Sequence, residues 1–204
     1  MPQLARAIRD VRYDLDAFLQ FLDRQDDNRW ELIDGHPVMM AGGTLDHNTI
    51  ALNIASGLRP AARKLGCRVH ISDVLVINPE NESFAAFPDV VVTCGPEQGN
   101  ERVLKHPDIV VEVLSLSTVI FDRGKKFDNY RDTPSIQQIF FIYQDQVRVE
   151  MWNRVGGGSA DEPDEWIMTS LTELDADAPF SRLGVTLTLN DIYLDAIPRA
   201  TSNR

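Results

Sequence analysis

Two carboxylates keep unusually apolar company. Glu112 interrupts the run Ile109-Val110-Val111-Glu112-Val113-Leu114, and Asp89 follows Pro88 at the head of Val90-Val91-Val92. Apolar, β-branched runs of this kind read as strands covered on both faces. An ionised carboxylate buried in such a strand is costly unless something compensates it: a cationic side chain, a metal ion, or exposure at a strand end. Side chains alternate along a strand, so Asp89 shares a face with Val91 and Thr93, and Glu112 shares one with Val110 and Leu114. If the two strands pair in suitable register, the carboxylates converge. At close range they repel unless a cation separates them, and hard oxygen donors select Mg2+ or Mn2+. The side-chain alternative is Lys126. Asp122, Lys126 and Tyr130 recur every four residues, one inclined stripe of a helix that could be aimed at the site.

Each residue also has a plainer reading. Glu112 could form a structural ion pair with Lys126 or Arg123, and Asp89 after a proline could start a strand or shape a turn. Tyr130 reads as a packing residue with a local hydrogen bond, and Asp122 as a helix N-cap or first-turn acid. Arg123, Lys125, Lys126 and Arg131 could contact phosphates or form a solvated face. Ser115 and Ser117 lie outside any nucleophile elbow.

The elements that must position these groups follow from patterning. Leu15, Phe18, Leu19 and Leu22 form the stripe of an amphipathic helix over 13–25. Asp34-Gly35 between short apolar runs signals a hairpin, with Glu31 just ahead of it. Residues 44–65 read as a long helix capped by Thr44 or Asp46, whose stripe of Ile50, Ile54, Leu58, Ala61 and Leu65 is extended at its start by His47. Strands are expected over 68–77, 87–94 and 108–115, then a helix over 117–132 that stops before Thr133-Pro134. A hairpin of 139–143 and 147–152, strands near 166–171 and 185–189, and a helical segment near 191–196 complete the chain. This order predicts a mixed sheet in an α/β or α+β domain. One domain spans 1–204, with 1–12 flexible, 156–165 a solvated loop and 198–204 a tail.

The totals set limits. At 204 residues, 43% hydrophobic and 25% charged, the chain suits a single globular core. No apolar run approaches a membrane span. Arg6, Arg9 and Arg12 are interrupted by Asp10 and lead into no apolar segment, so a cytoplasmic location is expected. Cys67 and Cys94 are too few and too distant in sequence for a zinc module or a disulfide framework, and are expected reduced. The net charge is −11 and the pI near 4.7. Proteins that grip duplex DNA through many phosphates show a basic face, which here has to be local. Metal-dependent phosphodiester chemistry, by contrast, needs carboxylates in the site.

Taken together, ELIDG (31–35), His47 in LDHN, PDVVV (88–92), PDIVVEVLSLST (107–118) and DRGKKFDNY (122–130) resemble the Uma2 family of the PD-(D/E)XK nuclease superfamily, from about Tyr13 to Ile197. The resemblance implies a restriction-endonuclease-like core, a mixed central β-sheet flanked by helices, in which Asp89 and Glu112 hold a divalent metal, with the backbone carbonyl of Val113 as a further ligand. It also implies that Lys126 replaces the lysine that the wider superfamily places two positions after the glutamate, where this chain has Leu114. Glu31 and His47 match additional polar positions near the metal, and Tyr130 joins His47 around the ligands. Leu116 and Gln144-Asp145 depart from the family pattern without touching a metal ligand. The implied activity is Mg2+-dependent (or Mn2+-dependent) endonucleolytic cleavage of DNA, by a homodimer that binds DNA weakly and no membrane. The alternatives are an interaction module without turnover and a hydrolase of a non-nucleic phosphate ester.

Overall fold

The computed structural model describes residues 11–25, 29–40, 42–95, 103–115, 122–156 and 164–196. The flexible segment expected over 1–12 and the loop expected over 156–165 fall mostly outside these residues, and the tail over 198–204 wholly so. Leu116 and Ser117 also lie outside them, as does the side chain of Asp122.

Two sheets stack face to face. The first has five strands in the order β2-β1-β5-β4-β7, and the second six in the order β11-β10-β9-β8-β6-β3. In the first, β1 (Trp30–Ile33) and β2 (His36–Met39) form the expected hairpin. Asp34 and Gly35 both have positive φ, 51° and 75°, as the tight turn between them requires. Beside them lie β5 (Asn81–Ala86), β4 (Leu75–Asn78) and β7 (Val103–Leu104). The second sheet comprises β3 (Arg68–Ile71), β6 (Val90–Thr93), β8 (Ile109–Leu114), β9 (Gln138–Tyr143), β10 (Val149–Val155) and β11 (Glu165–Leu171).

Strand alternation distributes the core. Val90, Val92, Ile109, Val111, Val113, Phe140 and Ile142 pack beneath α2 (Leu45–Lys64) through Ile50, Ile54 and Leu58. The hairpin β12 (Asp177–Phe180) and β13 (Val185–Thr188) and the short α4 (Leu189–Ile192) complete that layer. The intervening residues Val91, Val110, Leu114, Ile139 and Phe141 face Ile33, Val76, Phe84 and Ala86 of the five-stranded sheet. On the far side of that sheet, α1 (Leu15–Leu22) buries Phe18 against Leu32, Leu75, Ile77 and Ala85. Strands covered on both faces explain why β8 and β9 are buried at every position.

Three expectations are corrected. The run 68–77 is two strands: Ser72, with φ 53°, ends β3, and β4 joins the other sheet. The helix expected over 117–132 is described from 122, as a wide π turn (Asp122–Lys126) interrupted at Gly124 and followed by α3 (Phe127–Asp132). The cysteines are not reduced: Cys67 and Cys94 form a disulfide. Sequence separation misled here, because β3 and β6 pair antiparallel with Arg68 opposite Thr93, and one further step brings Cys67 opposite Cys94.

Candidate active site

The antiparallel register of β6 with β8 sets Val90 opposite Val111 and Val91 opposite Val110. One step further along, Asp89 falls opposite Glu112 at the head of β6. Asp89 is fixed there through Oδ2, which accepts the Val113 N–H at 2.7 Å and lies 3.3 Å from His47 Nε2. His47 is delivered by the first turn of α2. Thr44 caps that turn by accepting the His47 N–H at 3.1 Å and donates its own hydroxyl to Gln144 Oε1 at 2.8 Å. The positive end of the helix dipole thereby lies close to Asp89. Gly43 makes room, since a Cβ there would stand 3.0 Å from His47 Nδ1.

Glu112 projects from the other side of the same row, into the space between the sheets. Glu31 shares its face of β1 with Ile33, so it points into that space from the opposite sheet. Lys126 bridges them, with Nζ 3.2 Å from Glu112 Oε1 and 2.9 Å from Glu31 Oε1, and all three residues are no more than 4% exposed. Glu31 Oε1 also accepts the Phe87 N–H at 2.9 Å. Tyr130, one helical turn after Lys126, donates its hydroxyl to Glu112 Oε1 at 2.7 Å. Its bond is thus not local. Burial first, then the neighbouring Glu112 charge, pushes the Tyr130 phenol well above its ordinary value and keeps it a donor.

The segment carrying Lys126 is clamped. Arg123 pairs with Glu150 on β10, and Lys125 pairs with Asp34 in the β1–β2 turn. The carboxyl end of α3 is held by Arg154, whose Nη2 donates to the carbonyls of Arg131 and Thr133, each at 2.8 Å. A pinned helix of this kind fixes where an ammonium points.

The structure sets the residues singled out for the site in two groups on adjoining strands: Asp89 with His47 and the Val113 amide, and Glu112 with Lys126, Glu31 and Tyr130. Lys126 and the Tyr130 hydroxyl compensate the Glu112 carboxylate, which makes the ion pair considered for Glu112 a fact. Arg123, the other partner considered, serves Glu150 instead. The sequence reading missed Glu150, although the signal was the same as for Glu112: an acid inside an apolar strand, Val147-Arg148-Val149-Glu150-Met151-Trp152.

The residues that could hold a hard divalent cation are Asp89 and Glu112. Asp89 and Glu112 supply two opposed carboxylates, and the described bonds from protein donors to Asp89 both fall on Oδ2. Among the described residues no group of three His, Cys, Asp or Glu side chains is placed to hold a metal. A cation at Asp89 and Glu112 would therefore draw on the Val113 carbonyl and on water, as Mg2+ commonly does.

Comparison with known proteins identifies the fold and the family. A crystal structure from Anabaena variabilis, described as a putative nuclease belonging to DUF820, superposes with a TM-score of 0.68 at 17% identity, covering 88% of this chain and 97% of that one. Two uncharacterized proteins of Synechocystis sp. are similar in sequence. For sll1609 the identity is 28% over 79% of this chain and 90% of its own length, and for slr1290 it is 26% over 87% and 90%. The family model for Uma2, described as putative restriction endonuclease, matches residues 15–182, which include every residue of the site, and the chain belongs to that family.

Proposed function

We propose that the protein is a Mg2+- or Mn2+-dependent endonuclease that hydrolyses phosphodiester bonds in DNA. The observation that supports this reading is the pair of carboxylates, Asp89 and Glu112, opposite each other on paired strands, with the buried Lys126 ammonium on Glu112. A bound divalent ion would lower the pKa of a water and offset charge on the scissile phosphate. The protein's own part is positioning. His47 and the Val113 amide hold the Asp89 carboxylate, while Tyr130 orients Glu112. The Lys126 ammonium, held by Glu31 and Glu112, is placed to orient the attacking water or to stabilise the developing oxyanion. With a net charge of −11, DNA is engaged weakly, through few local cations. A homodimer would set two such sites along one duplex.

The competing reading is a nuclease-like interaction module, and it too has an observation behind it: Lys126 already compensates Glu112. Calorimetry and plasmid cleavage separate the two. The nuclease reading expects wild-type protein to bind Mn2+ and to nick supercoiled plasmid or cut single-stranded DNA. Glu112→Gln should lose metal binding, and Lys126→Ala should keep metal affinity within a few-fold while losing cleavage. Absence of binding at millimolar Mn2+ would sink the metal. Metal binding without cleavage of any DNA would leave the module, or a non-nucleic phosphate ester as substrate.

A further inference from the structure

We propose that Arg123 and Arg148, both gripping the buried carboxylate of Glu150, form a phosphate-binding fork beside the site and take a backbone phosphate of the nucleic acid. The nucleic-acid assignment rests on the nuclease reading above. Glu150 lies opposite Phe141, and Phe141 lies opposite Glu112. The two glutamates therefore occupy one row on one face of the sheet, two strands apart, or roughly 10 Å. Glu150 is fully buried. Arg123 Nη2 approaches its Oε2 at 3.1 Å, Arg148 Nη2 its Oε1 at 2.6 Å, and the Tyr143 hydroxyl donates to Oε1 at 3.1 Å.

One arginine would suffice to compensate one buried carboxylate. Here there are two, with side chains 42% and 35% exposed, so the three-residue cluster carries a net positive charge at the surface of a strongly acidic protein. The Arg148 guanidinium is held in place, and Arg123 is placed by its ion pair with Glu150. Arg148 stacks over the Tyr143 ring, 4.9 Å from its centroid. Its backbone is anchored by the Tyr193 hydroxyl, which accepts the Arg148 N–H at 3.1 Å and lies 2.7 Å from the Arg148 carbonyl. Arg123 stands three residues ahead of Lys126 on the same clamped segment. Planar guanidinium groups fixed in this way bind phosphate oxygens in pairs at little entropic cost. A strand whose scissile phosphate lies at Asp89 and Glu112 would offer a neighbouring phosphate to the fork.

The test compares wild type with Arg123→Gln/Arg148→Gln/Glu150→Gln, which removes all three charges but keeps hydrogen-bonding side chains and so leaves no buried charge unpaired. Labelled duplex and single-stranded oligonucleotides are titrated by anisotropy at several salt concentrations, with Ca2+ in place of Mg2+. Thermal shift is followed separately with inorganic pyrophosphate. We expect the variant's log-log salt slope on duplex to be shallower by about 0.9, the share of the one phosphate that the fork neutralises in wild type. Pyrophosphate should raise the wild-type melting temperature and leave the variant's unchanged. Equal slopes and equal pyrophosphate shifts in the two proteins would overturn the fork while leaving the nuclease reading intact. If wild type binds no oligonucleotide at low salt, the nuclease reading falls and takes the nucleic-acid ligand with it, whatever pyrophosphate does.

Discussion

At the scale of single residues, Lys126 has two employers. It neutralises Glu31 and Glu112 in the folded protein, and in the proposed reaction it serves the phosphate. The two roles separate on substitution. Lys126→Met leaves two buried carboxylates facing each other without a cation, and stripping one partner from a buried pair costs about 3–5 kcal/mol. We expect that loss in urea unfolding at neutral pH. If Glu112 is a metal ligand, millimolar Mn2+ should restore more stability to Lys126→Met than it adds to wild type, because the metal replaces the missing positive charge as well as binding the folded state. Failure of Mn2+ to rescue the variant would assign Glu112 to the lysine alone.

At the scale of elements, the candidate site depends on one register. The β6–β8 pairing that sets Asp89 opposite Glu112 is continued by the β3–β6 pairing, whose far end carries the disulfide between Cys67 and Cys94. The disulfide closes a loop with a sequence separation of 27, and loop entropy alone gives it about 3–4 kcal/mol. Dithiothreitol, or Cys67→Ala/Cys94→Ala, should lower the melting temperature by roughly 8 °C for a chain of this length. Protein unfolded without reductant should show no free thiol to a thiol reagent, and two free thiols would contradict the bridge. The same elements show what patterning can reveal. Strands β6, β8 and β9 were legible because coverage on both faces makes them uniformly apolar, and α2 because its stripe and its Thr44 cap are local. Strand β5 begins Asn81-Glu82-Ser83, β7 has two residues, and β12 carries Pro179; none has a period to read. The convergence of Asp89 and Glu112 could be posed from alternation. The Lys126–Glu112 pair could be posed from the four-residue helical stripe, but that Lys126 would also reach Glu31 follows from how the two sheets stack, which no local pattern encodes. The disulfide was missed for the same reason.

At the scale of the whole molecule, the buried tyrosines set an alkaline limit. Tyr130 and Tyr193 are fully buried and Tyr143 is 7% exposed. Burial is the largest cause raising each phenol above its ordinary value, reinforced at Tyr130 by Glu112, at Tyr143 by Glu150 and at Tyr193 by Asp145. Below about pH 10 both folded and unfolded chains keep these protons, and the stabilisation is fully present. Above it the unfolded chain releases them and the folded chain does not, so stability falls as pH rises, by up to about 1.4 kcal/mol per pH unit for each tyrosine. Urea unfolding between pH 9 and 11.5 (about one unit below to 1.5 above the ordinary phenol value) should therefore show a steep alkaline loss. Tyr130→Phe should remove one tyrosine's share of the slope, and lysine titration, common to both proteins, cancels in the comparison. Tyrosinate absorbance should rise mainly with unfolding. If Tyr130→Phe leaves the slope unchanged, the Tyr130 phenol ionises in the folded protein, and its hydroxyl is not the permanent donor that orients Glu112.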